Sequence, residues 1–228
     1  MKPLAPVLIG IFLLASARPS LAQTPPDPQA QTSASTQAST PSTTADVVKD
    51  TASLLAGAIS GLVVHESGHV MTGLAFDAHP GTKPIRYAGI PFFAVTHDPV
   101  TRHKEFVISS AGFWMQHAGS EWLLSARPRL KDESAPFLKG VLAFNIGTSV
   151  MYAGAAFGGW GPPERDTNGM ARSMGRTGWP EPVIGAVILA PAVLDAYRYF
   201  KPDARWAAWT SRGAKIAFMA LALGAGRR

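Results

Sequence analysis

Long apolar stretches, separated by short polar ones, dominate the chain after residue 50. The first, at 51–76, holds a single formal charge, Glu66, among its 26 positions. Three more run for close to 20 residues, which is roughly the length that a helix needs to cross a bilayer. A fifth, near the end of the chain, is short for a span and could lie at the membrane surface. The later stretches are 106–124, 140–160, 181–200 and 213–226.

This pattern predicts an all-α membrane protein with four or five transmembrane helices. The region 77–104 interrupts the pattern, because six prolines and glycines there exclude a long helix. Two short β-prone segments, at 85–87 and 92–96, predict a short β-hairpin or loop after the first core helix. The alternative is a soluble helical protein with unusually apolar helices, which four stretches with so few charges disfavour.

Small residues are spaced to form one face of the first helix. Gly57 and Gly61 are one turn apart, and Gly68 lies two turns further on. A stripe of this kind lets a neighbouring helix approach closely. We therefore expect the first helix to pack tightly against other helices along this face.

The first 45 residues differ in composition from the rest of the chain. Residues 1–22 combine Lys2, an apolar core and small residues at the end, which is the pattern of a secretory signal peptide; an uncleaved anchor helix is the alternative. Residues 23–45 are rich in Ser, Thr, Gln, Pro and Ala and predict a disordered linker. The structured part is then 46–228, which we expect to be a single membrane-embedded domain.

Composition excludes several classes of protein. The chain has no cysteine, so disulfides cannot stabilise it, and any metal site has to use His, Asp and Glu. The formal net charge is +6, but two of the positive charges lie in the signal segment and the others are scattered through short loops. Basic residues beside apolar stretches are typical of membrane-facing loops, and no nucleic-acid-binding surface is indicated.

The first apolar stretch carries the motif HESGH at residues 65–69. On a helix, His65 and His69 project from one face, so both imidazoles can bind one Zn²⁺ ion. Glu66 lies beside this face, where it can take a proton from a metal-activated water as a general base. The motif predicts a zinc metallohydrolase, usually a metalloprotease; a structural polar cluster packed between helices is the alternative.

A catalytic zinc ion needs a third protein ligand, and the sequence offers two candidates. The extended motif HExxHxxGxxH is excluded, because Thr72 and Ala75 occupy the positions of its glycine and last histidine. Asp166 follows the third apolar stretch; a carboxylate in the first turn of a helix is its structural alternative. Asp195 lies in the fourth stretch, where pairing with Arg198 is the alternative. Asp166 is preferred, and Asp195 stays open.

These motifs resemble the site-2 protease family of intramembrane zinc metalloproteases, in the same order along about residues 50–175. HESGH is similar to the family's H-E-x-G-H on its first core helix. VISSAGFWMQHAG at 107–119 resembles the apolar helix that follows, which opens with an Ala-Gly step. FNIGTSVMY, followed by GPPERDTNG, resembles an Asn-bearing helix leading to an Asp-Gly-type motif that supplies the last ligand. The segment PAVLDA around Asp195 is also similar to a Pro-x-x-Leu-Asp-Gly form.

The resemblance implies an intramembrane zinc protease in which Glu66 is catalytic and His65, His69 and Asp166 bind Zn²⁺. It implies hydrolysis of a peptide bond in or near a transmembrane segment of a partner protein, within the lipid bilayer. The expected location is a bacterial inner membrane, as a multi-pass protein. Two alternatives stay open: a non-catalytic membrane scaffold of the same fold, and a membrane-tethered zinc peptidase that acts on soluble peptides.

Three further polar residues lie in the predicted helices. His117 and Glu121 are one turn apart in the second apolar stretch. They line the active-site cavity, form a hydrogen bond to a zinc ligand, or pair with each other near the membrane interface; pairing is preferred. Asn145, in the third stretch, either orients a substrate carbonyl or forms a hydrogen bond between helices. Each of these alternatives depends on which helices become neighbours.

Overall fold

A computed structural model describes residues 43–87, 90–175 and 179–225. These residues form six α-helices and one two-stranded antiparallel sheet. The predicted signal segment, and the predicted linker up to residue 42, lie outside them. In chain order the elements are α1 (Thr44–Ala75), β1 (Gly81–Tyr87), β2 (Ile90–Thr96), α2 (Arg102–Ala126), α3 (Pro136–Gly158), α4 (Asp166–Ser173), α5 (Glu181–Phe200) and α6 (Arg205–Gly224).

The structure confirms a mainly helical fold with a short hairpin between the first two long helices. Three helices, α1, α3 and α5, are long and apolar enough to cross a membrane. The outward face of α1 shows this most clearly, since Leu55, Ile59, Val63 and Leu74 are each more than half exposed. A continuous apolar surface of this kind indicates contact with lipid or with another protein.

α1 extends beyond the apolar stretch 51–76 that predicts it. It begins seven residues earlier, where the Thr43 side chain accepts a hydrogen bond from the backbone N–H of Asp46. The Asp46 carboxylate accepts one in return from the backbone N–H of Thr43. This reciprocal cap satisfies two backbone donors at the helix start and favours the additional turns.

α2 is the central helix and is buried along most of its length. It packs against α1, α3, α4, α5 and α6. Because protein surrounds it, its polar side chains meet other side chains, and its sequence need not be as apolar as those of the outer helices. It is therefore not among the three helices above, although the second apolar stretch predicts a span. Its buried polar residues are Ser109, Ser110, Gln116, His117, Ser120 and Glu121.

α6 corrects the prediction for the end of the chain. It begins at Arg205, eight residues before the apolar stretch 213–226. The apolar stretch does not include the first half of the helix, because that half contains Arg205 and Arg212. Its inward face repeats every three or four residues and includes Lys215, which is fully buried. The helix is thus amphipathic and docks on α2 and α5. The residues of the inward face are Ala207, Ser211, Lys215, Phe218 and Ala222.

The glycine face of α1 is where neighbouring helices come closest, which confirms the predicted role of the small residues. A methyl group at Gly57 or Gly61 would overlap backbone or ring atoms of α3. At Gly68 it would lie 2.7 Å from the carbonyl oxygen of Ala111 in α2. The glycines therefore place HESGH in direct contact with α2.

The hairpin lies at the end of the bundle where α1 ends and α2 begins. Each strand has seven residues and extends beyond the predicted segments 85–87 and 92–96. Lys83 in β1 forms an ion pair with Glu164 at 2.9 Å, which ties the hairpin to the loop before α4. The hairpin and this loop therefore lie on the same side of the molecule.

Candidate metal centre

Three of the predicted site residues come together although 101 positions separate His65 from Asp166 in the sequence. His65 and His69 project from one face of α1, and Asp166 is the first residue of α4. The Oδ2 atom of Asp166 lies 3.1 Å from Nε2 of His65 and 3.4 Å from Nε2 of His69. The two Nε2 atoms are 3.2 Å apart.

These three atoms have the separations that a tetrahedral zinc site requires. With metal–ligand bonds of about 2.0–2.1 Å, two ligand atoms of a tetrahedral ion lie roughly 3.3 Å apart. The observed separations run from 3.1 to 3.4 Å. Two histidines and one carboxylate are also a donor set found in catalytic zinc sites. The group therefore fits a Zn²⁺ ion.

The backbone of α2 closes one side of this group at Gly112. A Cβ atom at Gly112 would lie 2.5 Å from Nε2 of His65 and 2.6 Å from Nε2 of His69. Those distances are too short for any side chain larger than hydrogen. Glycine therefore keeps the space between the imidazoles and α2 clear.

The two imidazoles are oriented in different ways. Nδ1 of His69 donates a hydrogen bond of 2.8 Å to the backbone carbonyl of Ile108, which leaves the lone pair on Nε2. His65 instead contacts Phe113 edge to face, with ring centroids 5.3 Å apart. Its Nδ1 atom is buried and has no hydrogen-bond partner among the described residues. His69 thus has the backbone support that is usual for metal-binding histidines, and His65 is held by ring packing.

Asp166 is placed by the residues on either side of it. Arg165 donates two hydrogen bonds of 2.6 Å to the Glu181 carboxylate at the start of α5, and Thr167 donates one of 2.6 Å. Burial raises the pKa of the Asp166 carboxyl, but the two imidazoles beside it lower that pKa by more. The pKa is held well below its ordinary range, so the carboxylate is in the form that binds a metal.

A cavity of about 670 Å³ opens against this group. Glu66, His69 and Asp166 line it, together with parts of β2, α2, α3, α4 and the loop before α4. The Glu66 carboxylate lies close enough to His65, His69 and Asp166 to interact electrostatically with each of them. A structural zinc site is closed by four protein ligands, whereas this arrangement leaves room for water and a substrate.

The second candidate ligand, Asp195, lies in a different cluster. It is buried, with Lys215 of α6 at 2.7 Å and the Ser211 hydroxyl at 2.8 Å. Arg198, the partner in the structural alternative, is 3.6 Å away. Within the described residues, the carboxylate grouped with the two histidines is that of Asp166.

Glu121 belongs to the same buried cluster as Asp195, and the interpretation that it pairs with His117 is wrong. The His117 ring instead contacts the Phe218 ring of α6, with centroids 5.7 Å apart. Neither His117 nor Glu121 lines the cavity. The groups that donate hydrogen bonds to the Glu121 carboxylate are Arg198, Arg212, Lys215 and Ser125.

Asn145 forms hydrogen bonds between helices, which confirms the second of its two interpretations. Its amide donates to the backbone carbonyl of Gln116 and to the Ser120 hydroxyl. Tyr152 lies seven residues further along α3 and lines the cavity, and it is not among the residues predicted from the sequence. The available signal is the helical period, which places positions 145 and 152 on one face.

Comparisons with protein-family models, curated proteins and solved structures found no match to this chain. The resemblance to the site-2 protease family therefore stays a prediction based on the motifs and their order. The distances between His65, His69 and Asp166 do not depend on that resemblance, and the chemistry of the site can be argued from them.

Proposed function

We propose that the protein is an intramembrane zinc-dependent endopeptidase similar to the site-2 proteases, and that it hydrolyses a peptide bond in or near a transmembrane segment of a partner protein. The observation that carries the proposal is the group formed by His65, His69 and Asp166 beside a cavity that Glu66 also lines. Three ligands and a separate carboxylate with access to water are the parts of a hydrolytic zinc site.

The chemistry divides between the metal and the chain's own residues. A bound Zn²⁺ ion supplies a Lewis acid that lowers the pKa of water and polarises the scissile carbonyl. Glu66 takes one proton from the attacking water while the water oxygen bonds to the carbonyl carbon. The protonated Glu66 then gives that proton to the amine nitrogen as the C–N bond breaks. His65, His69 and Asp166 would hold the ion at a fixed point beside Glu66.

The proposed membrane protein has four or five spans. α1, α3 and α5 are apolar enough to cross a membrane alone. We add α2, which the others enclose, and α6, which packs on α2 and α5. Exposed tryptophans lie at both ends of the bundle, as in the aromatic belts of membrane proteins. They are Trp122, Trp206 and Trp209 at one end and Trp160 and Trp179 at the other.

β2 offers an edge to an extended substrate. β1 pairs with one side of β2, and no strand in the described ranges pairs with the other. In an antiparallel pair, the backbone N–H of every second residue points away from the partner strand. Pro84 and Pro91 occupy such positions in the hairpin register, where a proline removes no hydrogen bond between the strands. Val95 belongs to the same set and lines the cavity. A substrate segment that has locally unwound can therefore add to this edge as a strand.

Replacing Val95 with proline is expected to slow cleavage about five- to tenfold, because it removes one outward N–H donor worth roughly 1 kcal/mol. Val95→Ala keeps the N–H and should cleave at a rate close to that of the wild type. Zinc content should not change in either variant. The rates are measured in proteoliposomes with membrane-spanning reporter peptides, by mass spectrometry of the fragments. Equal rates for Val95→Pro and wild type would rule out strand addition at β2.

The proposed function is tested by zinc content and cleavage together. We expect one zinc per wild-type chain by elemental mass spectrometry, and cleavage of membrane-spanning peptides. Glu66→Gln should keep the zinc, because Glu66 is not a ligand, and should lose cleavage by at least about 100-fold, since it removes the general base. Wild-type protein without zinc would contradict the proposal. Zinc without cleavage of any peptide in a broad panel would favour the non-catalytic scaffold.

Two further variants test the ligand set. Asp166→Ala should lose zinc, whereas Asp195→Ala should retain it in the folded fraction, because Asp195 lies with Lys215 and not with the histidines. The opposite result would identify Asp195 as the ligand. Resistance of the protein to carbonate extraction distinguishes an integral membrane enzyme from a membrane-tethered peptidase with a soluble domain.

A further inference from the structure

Two arginines line the cavity at a distance from the candidate metal centre. Arg102 is the first residue of α2, and Arg172 lies in the last turn of α4. Both residues are exposed, and both line the cavity that Glu66 and Asp166 also line. The cavity therefore connects the proposed catalytic residues with two positive charges.

The two arginines lie near each other because α2 and α4 pack together and lead away from the metal centre. Arg172 comes six residues after Asp166 in α4, which is about 9 Å along the helix axis. Arg102 precedes Ile108, whose backbone carbonyl orients a histidine of the metal centre, by the same number of residues in α2. A Cβ atom at Gly175, two residues after α4, would lie 3.0 Å from Nη1 of Arg102. The Arg102 guanidinium therefore reaches the end of α4, close to Arg172.

Neither arginine has a strong partner of its own. The side chains of Arg102 and Arg172 form no hydrogen bond or ion pair with the residues that the structure describes. Arg172 interacts electrostatically with Glu181, but that carboxylate already accepts hydrogen bonds from Arg165 and Thr167. The other charged side chains of the cavity wall, apart from those at the metal centre, are in ion pairs. These pairs are His97–Glu105, Lys83–Glu164 and Arg165–Glu181.

A carboxylate is the group of a peptide substrate that two free guanidinium groups recognise best. A guanidinium can donate two parallel hydrogen bonds to one carboxylate, with opposite charges in contact. A substrate whose scissile bond lies beside Glu66 continues in extended form at about 3.3 Å per residue. The distance of about 9 Å then corresponds to roughly three residues, and the reach of the arginine side chains widens this to about two to four.

We propose that Arg102 and Arg172 form a specificity site that binds the carboxylate of an Asp or Glu side chain about two to four residues from the cleaved bond. This inference rests on the proposed function and names a feature of its substrate. Both arginines are exposed at the end of the bundle where α2 begins. The acidic residue therefore lies at the edge of the substrate's apolar segment, where a charge costs little, and not within it.

Cleavage of paired peptides tests the proposal. Membrane-spanning reporters carry Asp or Asn at each of the four positions on either side of the cleaved bond, in vesicles of phosphatidylcholine. For the wild type, we expect kcat/KM to be about 5- to 10-fold higher with Asp than with Asn at one of the positions two to four residues away. The double variant Arg102→Gln, Arg172→Gln should reduce this ratio to less than twofold. Because both peptides are cleaved by one preparation, the ratio does not depend on the folded fraction.

Arg129→Gln is the matched control, because Arg129 is exposed at the opposite end of α2 and pairs with Asp203. It should keep the wild-type ratio. Arg172→Glu should reverse the preference, so that Lys at the same position is cleaved faster than Asp. Equal rates for Asp and Asn at every position in the wild type would overturn the proposal. It would also be overturned if the arginines bound lipid phosphate instead, in which case the double variant loses rate equally on both peptides and only in vesicles that contain phosphatidylglycerol.

Peptide binding to Glu66→Gln separates this inference from the proposed function. The same Asp and Asn peptides, labelled with a fluorophore, are titrated with this variant, and the Asp peptide should bind about 5- to 10-fold more tightly. Adding Arg102→Gln and Arg172→Gln should remove the difference. Selective binding without cleavage by the wild type removes the proposed function and leaves the carboxylate site standing. Cleavage without any preference for Asp removes the carboxylate site and leaves the proposed function standing.

Discussion

Gly112→Ala is expected to fold and to lose high-affinity zinc binding. The new methyl carbon would lie 2.5 Å from Nε2 of His65 and 2.6 Å from Nε2 of His69, the two atoms that have to converge on one ion. Carbon atoms do not approach so closely, so an imidazole has to rotate or α2 has to move away from α1. Gly68 limits the second route, because α1 and α2 already touch through backbone atoms there.

The expected loss of zinc affinity in Gly112→Ala is at least about 100-fold, since it displaces ligands and not only their partners. Cleavage should fall with the zinc content. Gly119→Ala, two turns further along the same helix, is the matched control, because its methyl would meet only the Asn145 amide at an ordinary 3.7 Å. Chelator competition and thermal unfolding are measured on both variants. Wild-type zinc affinity in Gly112→Ala would show that the imidazoles do not converge beside α2.

The part of the site that lies within one helix was predictable from the sequence. His65, Glu66 and His69 depend only on the helical period, which fixes their directions once α1 is recognised as a helix. The glycine face of α1 was predictable for the same reason. The sequence could not show that Gly68 meets Ala111 or that Gly112 faces the imidazoles, because those contacts depend on the path of α2.

The choice between Asp166 and Asp195 required the tertiary structure. Each aspartate lies close to an apolar stretch and has an ordinary structural alternative, so local sequence does not separate them. The residue that places Asp195 in a different cluster is Lys215 of α6. The sequence did not show this pair, because its apolar stretch 213–226 predicts only part of α6. The deciding partners of Asp166 are the two histidines, about 100 positions away.

Hydropathy could not distinguish outer helices from the central one. The apolar stretch 106–124 predicts α2 as a span in the same way as the stretches of α1, α3 and α5. In the structure α2 is not among the helices apolar enough to cross a membrane, and its polar residues are buried against other helices. The same limit explains the wrong pairing of His117 with Glu121. Two residues one turn apart do face one side of a helix, but the cations of α5 and α6 approach Glu121 from that side.

Glu121→Gln is expected to destabilise the helix bundle by about 3–5 kcal/mol, the usual effect of removing one partner from a buried ion pair. Glu121 is fully buried and is the centre of the cluster that joins α2, α5 and α6. Together with Asp195 it faces three cations, so its loss leaves those cations with a single carboxylate. The cations are Arg198, Arg212 and Lys215.

The matched control is Glu133→Gln, which removes the same charge from an ion pair with Arg127 at 2.6 Å. That pair is at the surface, so we expect a change of no more than about 1 kcal/mol. Adding Lys215→Met to Glu121→Gln restores the original charge balance of the cluster and should recover part of the lost stability. Unfolding in detergent, followed by circular dichroism, gives the three free energies. If Glu121→Gln and Glu133→Gln unfold alike, the buried cluster does not hold α6 on α2. If they differ as expected, the ion pairs of Glu121 stabilise the bundle. These ion pairs then also fix the position of α2, the helix that carries Gly112 beside the candidate metal centre.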